Sequence, residues 1–285
     1  MRALDPEVID VLWRAFEARI PRPQGSHPLG CHRPRVSDRL CFQGIMIRLT
    51  TGCSWTDVEQ LLGGVVSDTT LRARRDEWVT AGVFDALADE AIDAFDRIVG
   101  LDLSEVGIDG SQHKAPAGGL GTGKNPTDRA KLGWKWSLAV DTHGVPIAWS
   151  TDGANRNDCK LVDPTLAMLD RRGLLCDIET VHLDRGYDHD FVRELFASAG
   201  IDDAVIVRRR QPSAPKPVMP ELRLGLRWIV ERTNSWLARF GQLRRNTDRH
   251  PTHRLAQLAL AIAALITAKL IDWRNRWNPD PAPIR

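Results

Sequence analysis

The hydrophobic pattern of the chain changes at Gly100. Before this residue, apolar positions recur at helical spacing, in segments separated by glycine- and proline-rich breaks. After it, short apolar runs predict three strands, a helix, a strand, a helix, a strand and a further helix. A three-strand meander followed by alternating helices and strands indicates a mixed sheet with helices on its faces. The sequence therefore predicts an all-α domain over 1–99 and an α/β domain over 100–285.

Three short helices follow one another in the N-terminal domain. A serine that can cap the helix precedes each one, and glycines separate them. We place the helices at residues 37–50, 55–63 and 68–81. Their lengths and breaks are typical of a helix-turn-helix module, although many three-helix segments are purely structural. On the module interpretation, the third helix exposes three basic residues to DNA: Arg72, Arg74 and Arg75.

The α/β domain begins with an apolar strand that ends at Asp109, and residues 112–131 have the composition of a mobile loop. A hairpin over 134–150 comes next. A later strand, 179–183, ends at Asp184. The apolar segment 255–271 has helical spacing and contains polar residues, and it falls short of the roughly 20 residues of a membrane span. We predict a buried docking helix there and no membrane partner.

Three acids are the candidate catalytic residues. Asp109 and Asp184 each close a strand, and the ends of neighbouring strands are where open α/β sheets usually bind ligands. Glu231 lies on the predicted helix 227–240. Crowded carboxylates repel one another unless a hard divalent cation neutralises them. Taken singly, each aspartate could be only a turn former, and Glu231 could pair with an adjacent arginine.

The charge distribution favours a polyanionic partner. The net charge is only +2, but residues 208–254 contain twelve basic and three acidic side chains. The alternative is a basic face that contacts only solvent and binds no polyanion. The five cysteines form no CxxC pair and the eight histidines no HExxH motif, which argues against zinc and against a disulfide framework. Reduced thiols and the absence of a secretory pattern at the N-terminus predict a cytoplasmic protein.

Four ordered motifs resemble those of bacterial insertion-sequence DDE transposases, in particular the insertion-sequence-5 family of the IS4-like superfamily. The motifs are GIDGS at 107–111, DGANRND at 152–158, LDRGYD at 183–188 and RWIVERTNSWL at 227–237. The resemblance covers about residues 30–272. It implies an RNase H-like catalytic domain that follows the N-terminal helix-turn-helix domain.

The resemblance also implies an activity, which is metal-dependent cleavage at terminal inverted repeats of double-stranded DNA and strand transfer into target DNA. The chain would act as a homo-oligomer, with two Mg²⁺ ions, or Mn²⁺ in their place, held by Asp109, Asp184 and Glu231. The residues expected to contact DNA, besides the three arginines above, are Lys114, Lys124, Lys131, Arg227, Arg232, Arg239, Arg244 and Arg245.

The glutamate motif departs from the family pattern at two positions. Leu224 stands where the family often has tyrosine, and Ala238 where it often has lysine, so that Arg239 or Arg244 would have to hold the phosphate instead. Two rival functions stay open at this point. One is a catalytically silent or domesticated DNA-binding protein, and the other is a metal-dependent nuclease without strand transfer. The presence of all three acids argues against the first, and the helix-turn-helix pattern argues against the second.

Overall fold

The computed structural model describes residues 4–21, 35–201, 203–206 and 227–277. The chain forms two compact units. One contains the N-terminal part up to Arg97 together with the part that follows from Leu237, and the other runs from Ile98 to Trp236. The first boundary lies within two residues of the expected one. The C-terminal segment, which we expected to belong with the catalytic domain, groups with the N-terminal helices instead.

The described residues form ten α-helices and six strands, which we number along the chain. The helices are α1 (Pro6–Glu17), α2 (Asp38–Thr51), α3 (Trp55–Leu61), α4 (Asp68–Thr80), α5 (Val83–Ile98), α6 (Val162–Arg171), α7 (Asp190–Ser198), α8 (Arg227–Leu237), α9 (Gly241–Arg244) and α10 (Pro251–Trp277). The strands are β1 (Glu105–Lys114), β2 (Gly123–Lys124), β3 (Leu132–Val140), β4 (Pro146–Gly153), β5 (Thr180–Leu183) and β6 (Asp203–Ile206).

Helices α2, α3 and α4 begin and end close to the predicted positions. Ser54 and Asp57 form a reciprocal capping box at α3, and the Ser67 side chain accepts from the Thr70 N–H at α4. Ser37 occupies the N-cap position of α2 but makes no side-chain capping bond. Gly52 ends α2 in the left-handed conformation, with φ of 75°. The helix-and-break pattern read from the sequence is therefore confirmed.

Aromatic rings and α10 form the core of the first unit. The Phe16 ring lies 4.7 Å from that of Phe42 and 4.9 Å from that of Trp78. Helix α10 packs against α1 and α4, and its residues 256–266 are buried almost throughout. Because the apolar surface of α10 must be shielded from water, this helix packs with the N-terminal helices.

Helix α10 is also the one described helix that is long and apolar enough to cross a membrane, by length and composition alone. Two thirds of its most apolar window (67%) is buried inside the structure. A core helix of a globular domain has this character. The predicted buried docking helix is confirmed, and it docks on helices of its own unit.

Two of the three arginines expected to face DNA from α4 are buried. Arg75 Nη1 lies 2.8 Å from Asp248 Oδ1, and Arg48 approaches the other oxygen of the same carboxylate at 3.2 Å. Arg74 Nε lies 3.1 Å from Asp38 Oδ1. The prediction that α4 exposes all three was wrong for Arg74 and Arg75, since each is only 7% exposed and pairs with acids. Arg72 is exposed, as predicted.

The second unit is built on one mixed sheet with the order β4-β3-β1-β5-β6, and the short β2 pairs with the start of β3. Strands β1, β3 and β4 are antiparallel neighbours, whereas β5 and β6 continue the sheet in parallel with β1. Apart from β2, this is the strand order of the RNase H-like fold, so the predicted fold is confirmed. The β3–β4 hairpin also follows the prediction.

Strand β1 is longer than predicted. It continues five residues past Asp109 and pairs with β3 up to Lys114, opposite Gly133. Asp109 therefore lies in the middle of a strand, opposite Leu138, and does not close it. Residues 112–114, expected in a mobile loop, belong to this strand. The glycine and polar side chains after Asp109 concealed the extension, because pairing with β3 stabilises the strand without an apolar pattern.

The hairpin turn after β3 receives helix α8. Gly144 has φ of 72°, and a Cβ at this position would lie 2.9 Å from Thr233 Oγ1. Thr233 Oγ1 donates a hydrogen bond to the Gly144 carbonyl oxygen at 3.1 Å. Only glycine satisfies both the left-handed turn and this close approach. The contact fixes the middle of α8 against the β3–β4 turn.

Candidate active site

Asp109 and Asp184 lie on neighbouring parallel strands. The β1–β5 register pairs Gly107 with His182, and both aspartates follow two residues later. An equal offset places the two side chains on the same face, about 4.8 Å apart in the pairing direction. Asp184 directly follows β5 and caps the helical turn that comes next, where its Oδ1 accepts from the Gly186 N–H at 2.6 Å. This register supports the predicted juxtaposition of the two acids.

Asp109 is the most perturbed of the candidate acids. Its pKa is raised to about 6, chiefly by burial and also by the carboxylates of Asp184, Glu231 and Asp158, while the Gly110 N–H lowers it. Asp184, Glu231 and Asp158 thus lie near enough to Asp109 for their charges to act on it. The ionised form of Asp109 needs a compensating cation, and carboxylate oxygens are the ligands that hard divalent cations prefer.

Helix α8 brings the third acid to this point. Asn234 Nδ2 donates a hydrogen bond to Asp109 Oδ2 at 3.3 Å, and Asn234 Oδ1 accepts from Trp136 Nε1 at 2.8 Å. Glu231 precedes Asn234 by three residues, so the two side chains share one face of the helix. Glu231 is exposed. The hydrogen bond from Asn234 to Asp109, one helical turn after Glu231, brings Glu231 towards Asp109.

The acids of this site do not form a closed cage as the described chain arranges them. Within the described ranges, no three His, Cys, Asp or Glu side chains converge closely enough to hold a metal ion. The donor chemistry nevertheless fits a divalent cation, because Asp109 is surrounded by carboxylates and its side-chain hydrogen bond comes from a neutral amide.

Arg232 is held between two indole rings on α8. Its guanidinium carbon lies 4.4 Å from the Trp228 ring centroid and 4.8 Å from that of Trp236. These tryptophans stand four residues before and after the arginine, so the helix repeat itself creates the sandwich. Trp228 is 46% exposed, which keeps the sandwich at the surface. The Arg227 side chain lies outside the described part of the structure.

The three loop lysines collect at one end of the sheet. Lys114 ends β1, Lys124 lies on β2 opposite Leu132, and Lys131 immediately precedes β3. All three are exposed. Lys114 is five residues along β1 from Asp109, roughly 17 Å at the usual rise of a strand. They are therefore separate from the acids.

Arg239, Arg244 and Arg245 are exposed residues of the first unit, and they follow α8 along the chain. Several residues of the acidic site were not assigned from the sequence. Asn234 and Tyr187 stand inside the recognised motifs, but the polar contacts of Asn234 depend on residues far along the chain. Lys135 lies between two buried tryptophans, and Asp158 belongs to the motif at 152–158. The spacing of the two tryptophans around Arg232 is the one signal that could have predicted its sandwich.

Two family comparisons match most of the chain. The transposase DDE domain family matches residues 94–266, more than half of the chain and the whole of the acidic site. A second family, described as "Putative transposase of IS4/5 family", matches residues 8–88. This chain belongs to the transposase DDE domain family. The resemblance recognised in the sequence motifs is therefore confirmed.

Two curated relatives of this DDE family member come from Burkholderia cepacia. The chain is 37% identical over 134 residues to the "Putative transposase for insertion sequence element IS402". This alignment covers 45% of this chain and 60% of that relative. It is 31% identical over 121 residues to an IS402 "uncharacterized 16.2 kDa protein", covering 42% of this chain and 82% of that relative. The chain thus matches less than two thirds of the length of the first relative.

Two solved structures are also similar to the chain. A "Mos1 transposase paired-end complex with left transposon end" has 11% sequence identity and a TM-score of 0.26, over 87% of this chain and 81% of that one. A Mos1 mariner paired-end complex with Mn has 11% identity and a TM-score of 0.28, over 91% of this chain and 86% of that one.

Proposed function

We propose that this chain is the DNA transposase of a bacterial insertion sequence. It cuts double-stranded DNA at the terminal inverted repeats of its element and transfers the freed strand to target DNA. One observation carries the proposal, namely that Asp109 and Asp184 each stand two residues after the paired Gly107 and His182 of neighbouring parallel strands, with α8 joined to Asp109 through Asn234. Family membership supports the reaction class, since the matched family is that of transposase DDE domains.

Asp109, Asp184 and Glu231 would hold the divalent ions, with Mg²⁺ as the cofactor, Mn²⁺ as a substitute and two ions in the complete site. Such ions would supply Lewis-acid stabilisation of charge on a scissile phosphate. The protein's own part is to hold Asp109 half-buried in the middle of β1. The negative charge gathered around Asp109, which helps to raise its pKa, would also favour the binding of a divalent cation.

DNA would be bound by exposed basic side chains on both units. Phosphate contacts suit Arg232, whose charge is preoriented by two tryptophans, and the lysines at the end of β1 and β2. Arg72 is the α4 residue that remains available for base or phosphate contact. Further proposed contacts are Arg227, Arg239, Arg244 and Arg245. We also propose a cytoplasmic homo-oligomer that brings two element ends together.

The test is a cleavage and strand-transfer assay on DNA carrying the inverted repeats that flank the coding region, with Mg²⁺ or Mn²⁺. Wild type is compared with Asp184→Ala and with Asp170→Ala, which removes an exposed acid on α6. We expect wild type and Asp170→Ala to cut and join, and Asp184→Ala to do neither while still binding DNA. Equal activity of Asp184→Ala and wild type would reject the acidic site. Binding without cleavage by wild type would favour a silent DNA-binding protein, and cleavage without joining a nuclease.

A further inference from the structure

A buried lysine lies beside the acidic site. Lys135 on β3 is 1% exposed, and its Nζ donates to Asp158 Oδ1 at 2.8 Å and to the Arg156 carbonyl oxygen at 2.7 Å. An ammonium group withdrawn from water is strongly unfavourable unless it is paired and hydrogen-bonded. The pair is therefore a specific feature that fixes the Asp158 carboxylate.

The carboxylate held by Lys135 rests against the residue that follows Asp109. A Cβ on Gly110 would lie 2.7 Å from Asp158 Oδ1 and 3.1 Å from Asp158 Cγ. Any side chain at residue 110 would have to displace this carboxylate. Asp158 is thus in contact with the backbone of β1 one residue from Asp109, and it is one of the acids that raise the pKa of Asp109.

Tyr187 reaches the same point from the helical turn that follows β5. Its hydroxyl lies 3.5 Å from the position of a Gly110 Cβ, and its backbone N–H donates to the Asp184 carbonyl oxygen at 3.2 Å. The residue is 2% exposed, and its hydroxyl has no hydrogen-bond partner within the described chain. Native proteins rarely leave a buried hydroxyl without a partner. Here the hydroxyl and the Asp158 carboxylate lie within 3.5 Å of one common point.

We propose that Lys135, Asp158 and Tyr187 form a support cluster that positions Asp109 and Asp184 for metal binding. Lys135 holds Asp158 against Gly110, and the Tyr187 hydroxyl donates its hydrogen to Asp158 when the divalent ion is bound. The cluster thereby ties the strand of Asp109 to the turn that follows Asp184. The inference rests on the proposed function, because it assumes that these two aspartates bind the ion. All three residues act through the aspartates and do not touch the ion.

The decisive variant is Tyr187→Phe, which removes only the hydroxyl. Full-length protein is titrated with Mn²⁺, free Mn²⁺ is measured by electron paramagnetic resonance, and thermal unfolding is recorded without metal. Because the hydroxyl lacks a partner in the metal-free arrangement, we expect an unchanged or higher Tm. We expect Mn²⁺ affinity to fall by about 10-fold or more, as for other groups that orient metal ligands. A lower Tm with wild-type Mn²⁺ affinity would overturn the cluster.

The matched control is Thr50→Val on α2, in the other unit. Its hydroxyl is likewise buried and without a hydrogen-bond partner in the described structure. The control should leave Mn²⁺ affinity unchanged. Asp184→Ala defines the signal that belongs to the acidic site. If wild type binds no more Mn²⁺ than Asp184→Ala, the proposed metal site itself fails together with the cluster. If wild type binds and Tyr187→Phe binds equally well, only the cluster fails.

A double variant tests whether Tyr187 acts through Asp158. Asp158→Asn should also weaken Mn²⁺ binding by about 10-fold. Adding Tyr187→Phe to it should cause no further loss, since contacting groups in one network are not additive. Independent, multiplicative losses would overturn the proposed hydrogen bond between the two. If Asp158→Asn fails to fold because Lys135 loses its partner, the Tyr187→Phe result still decides.

Discussion

The Asn234 amide joins Trp136 to Asp109, two residues of the sheet that lie on neighbouring strands. Trp136 Nε1 donates to the amide oxygen, which leaves the amide nitrogen to donate to the Asp109 carboxylate. The indole has no acceptor, so it fixes which end of the amide faces the acid. Asn234 is 6% exposed, and the contact joins residues 125 positions apart. It couples the helix of Glu231 to the strand of Asp109.

Replacing Asn234 by aspartate should impair the site without removing its shape. In Asn234→Asp one oxygen still accepts from Trp136, but the other faces Asp109 and raises the pKa of that acid further. We expect DNA cleavage at pH 7 to fall by about 10- to 100-fold, as for other groups that orient ligands. The comparison is with Asn155→Asp, an exposed residue of the same unit. Equal losses of DNA cleavage in the two variants would show that added negative charge anywhere in the unit has this effect, and would contradict a specific role of Asn234.

Asp109 should destabilise the metal-free protein at neutral pH. Its folded pKa of about 6 lies above its ordinary value, so the stabilising contribution is present at pH below 4 and is lost as pH rises through 6. Asp109→Asn should therefore match wild type near pH 4 and exceed it at pH 8 by about 2–3 kcal/mol in free energy of unfolding. Urea unfolding in a chelating buffer at both pH values measures this difference. A less stable Asp109→Asn at pH 8 would contradict the burial of an unpaired charge.

Arg232 should contribute one phosphate contact. Arg232→Ala should weaken DNA binding and reduce the slope of log Kobs against log salt concentration by about 1. Arg232→Lys keeps the charge but loses planar stacking between Trp228 and Trp236, so an intermediate affinity is expected. Binding titrations at several salt concentrations distinguish the variants, with the exposed Arg171→Ala on α6 as control. An unchanged slope for Arg232→Ala would remove this residue from the interface.

Arg72 and Arg75 should have separable roles on α4. Arg75→Ala leaves Asp248 with one fewer buried partner and should cost about 3–5 kcal/mol in free energy of unfolding. Arg72→Ala removes an exposed side chain that pairs with Asp68 four residues earlier and lies 6.0 Å from the Trp55 ring centroid, and stability should change by less than about 1 kcal/mol. Chemical unfolding and DNA binding of the two variants separate these effects. A large loss of stability in Arg72→Ala would reject the assignment of Arg72 to DNA binding and of Arg75 to stability.

The sequence predicted local features better than pairings across the chain. Capping serines and glycine breaks located α2 to α4 because such signals act over a few residues. The buried state of Arg75 could not be seen, because its partner Asp248 lies 173 residues away. The extension of β1 was not predicted for the same reason. Residues 110–114 form a strand because they pair with β3, and not because of their own strand propensity. Strand-end positions and motif resemblance pointed to Asp109 and Asp184, and the resemblance pointed to Glu231. Neither indicated that Lys135 is buried and bonded to Asp158.

The mid-strand position of Asp109 divides the site into one rigid and two adaptable members. Asp109 is locked in register opposite Leu138, whereas Asp184 stands at the end of a strand and Glu231 on an exposed helix face. Insertions or deletions near Asp109 would shift every later β1 side chain to the opposite face of the sheet. A mutant library intended to change the preferred ion should therefore vary the turn after Asp184 and the surroundings of Glu231. It should leave residues 105–114 untouched.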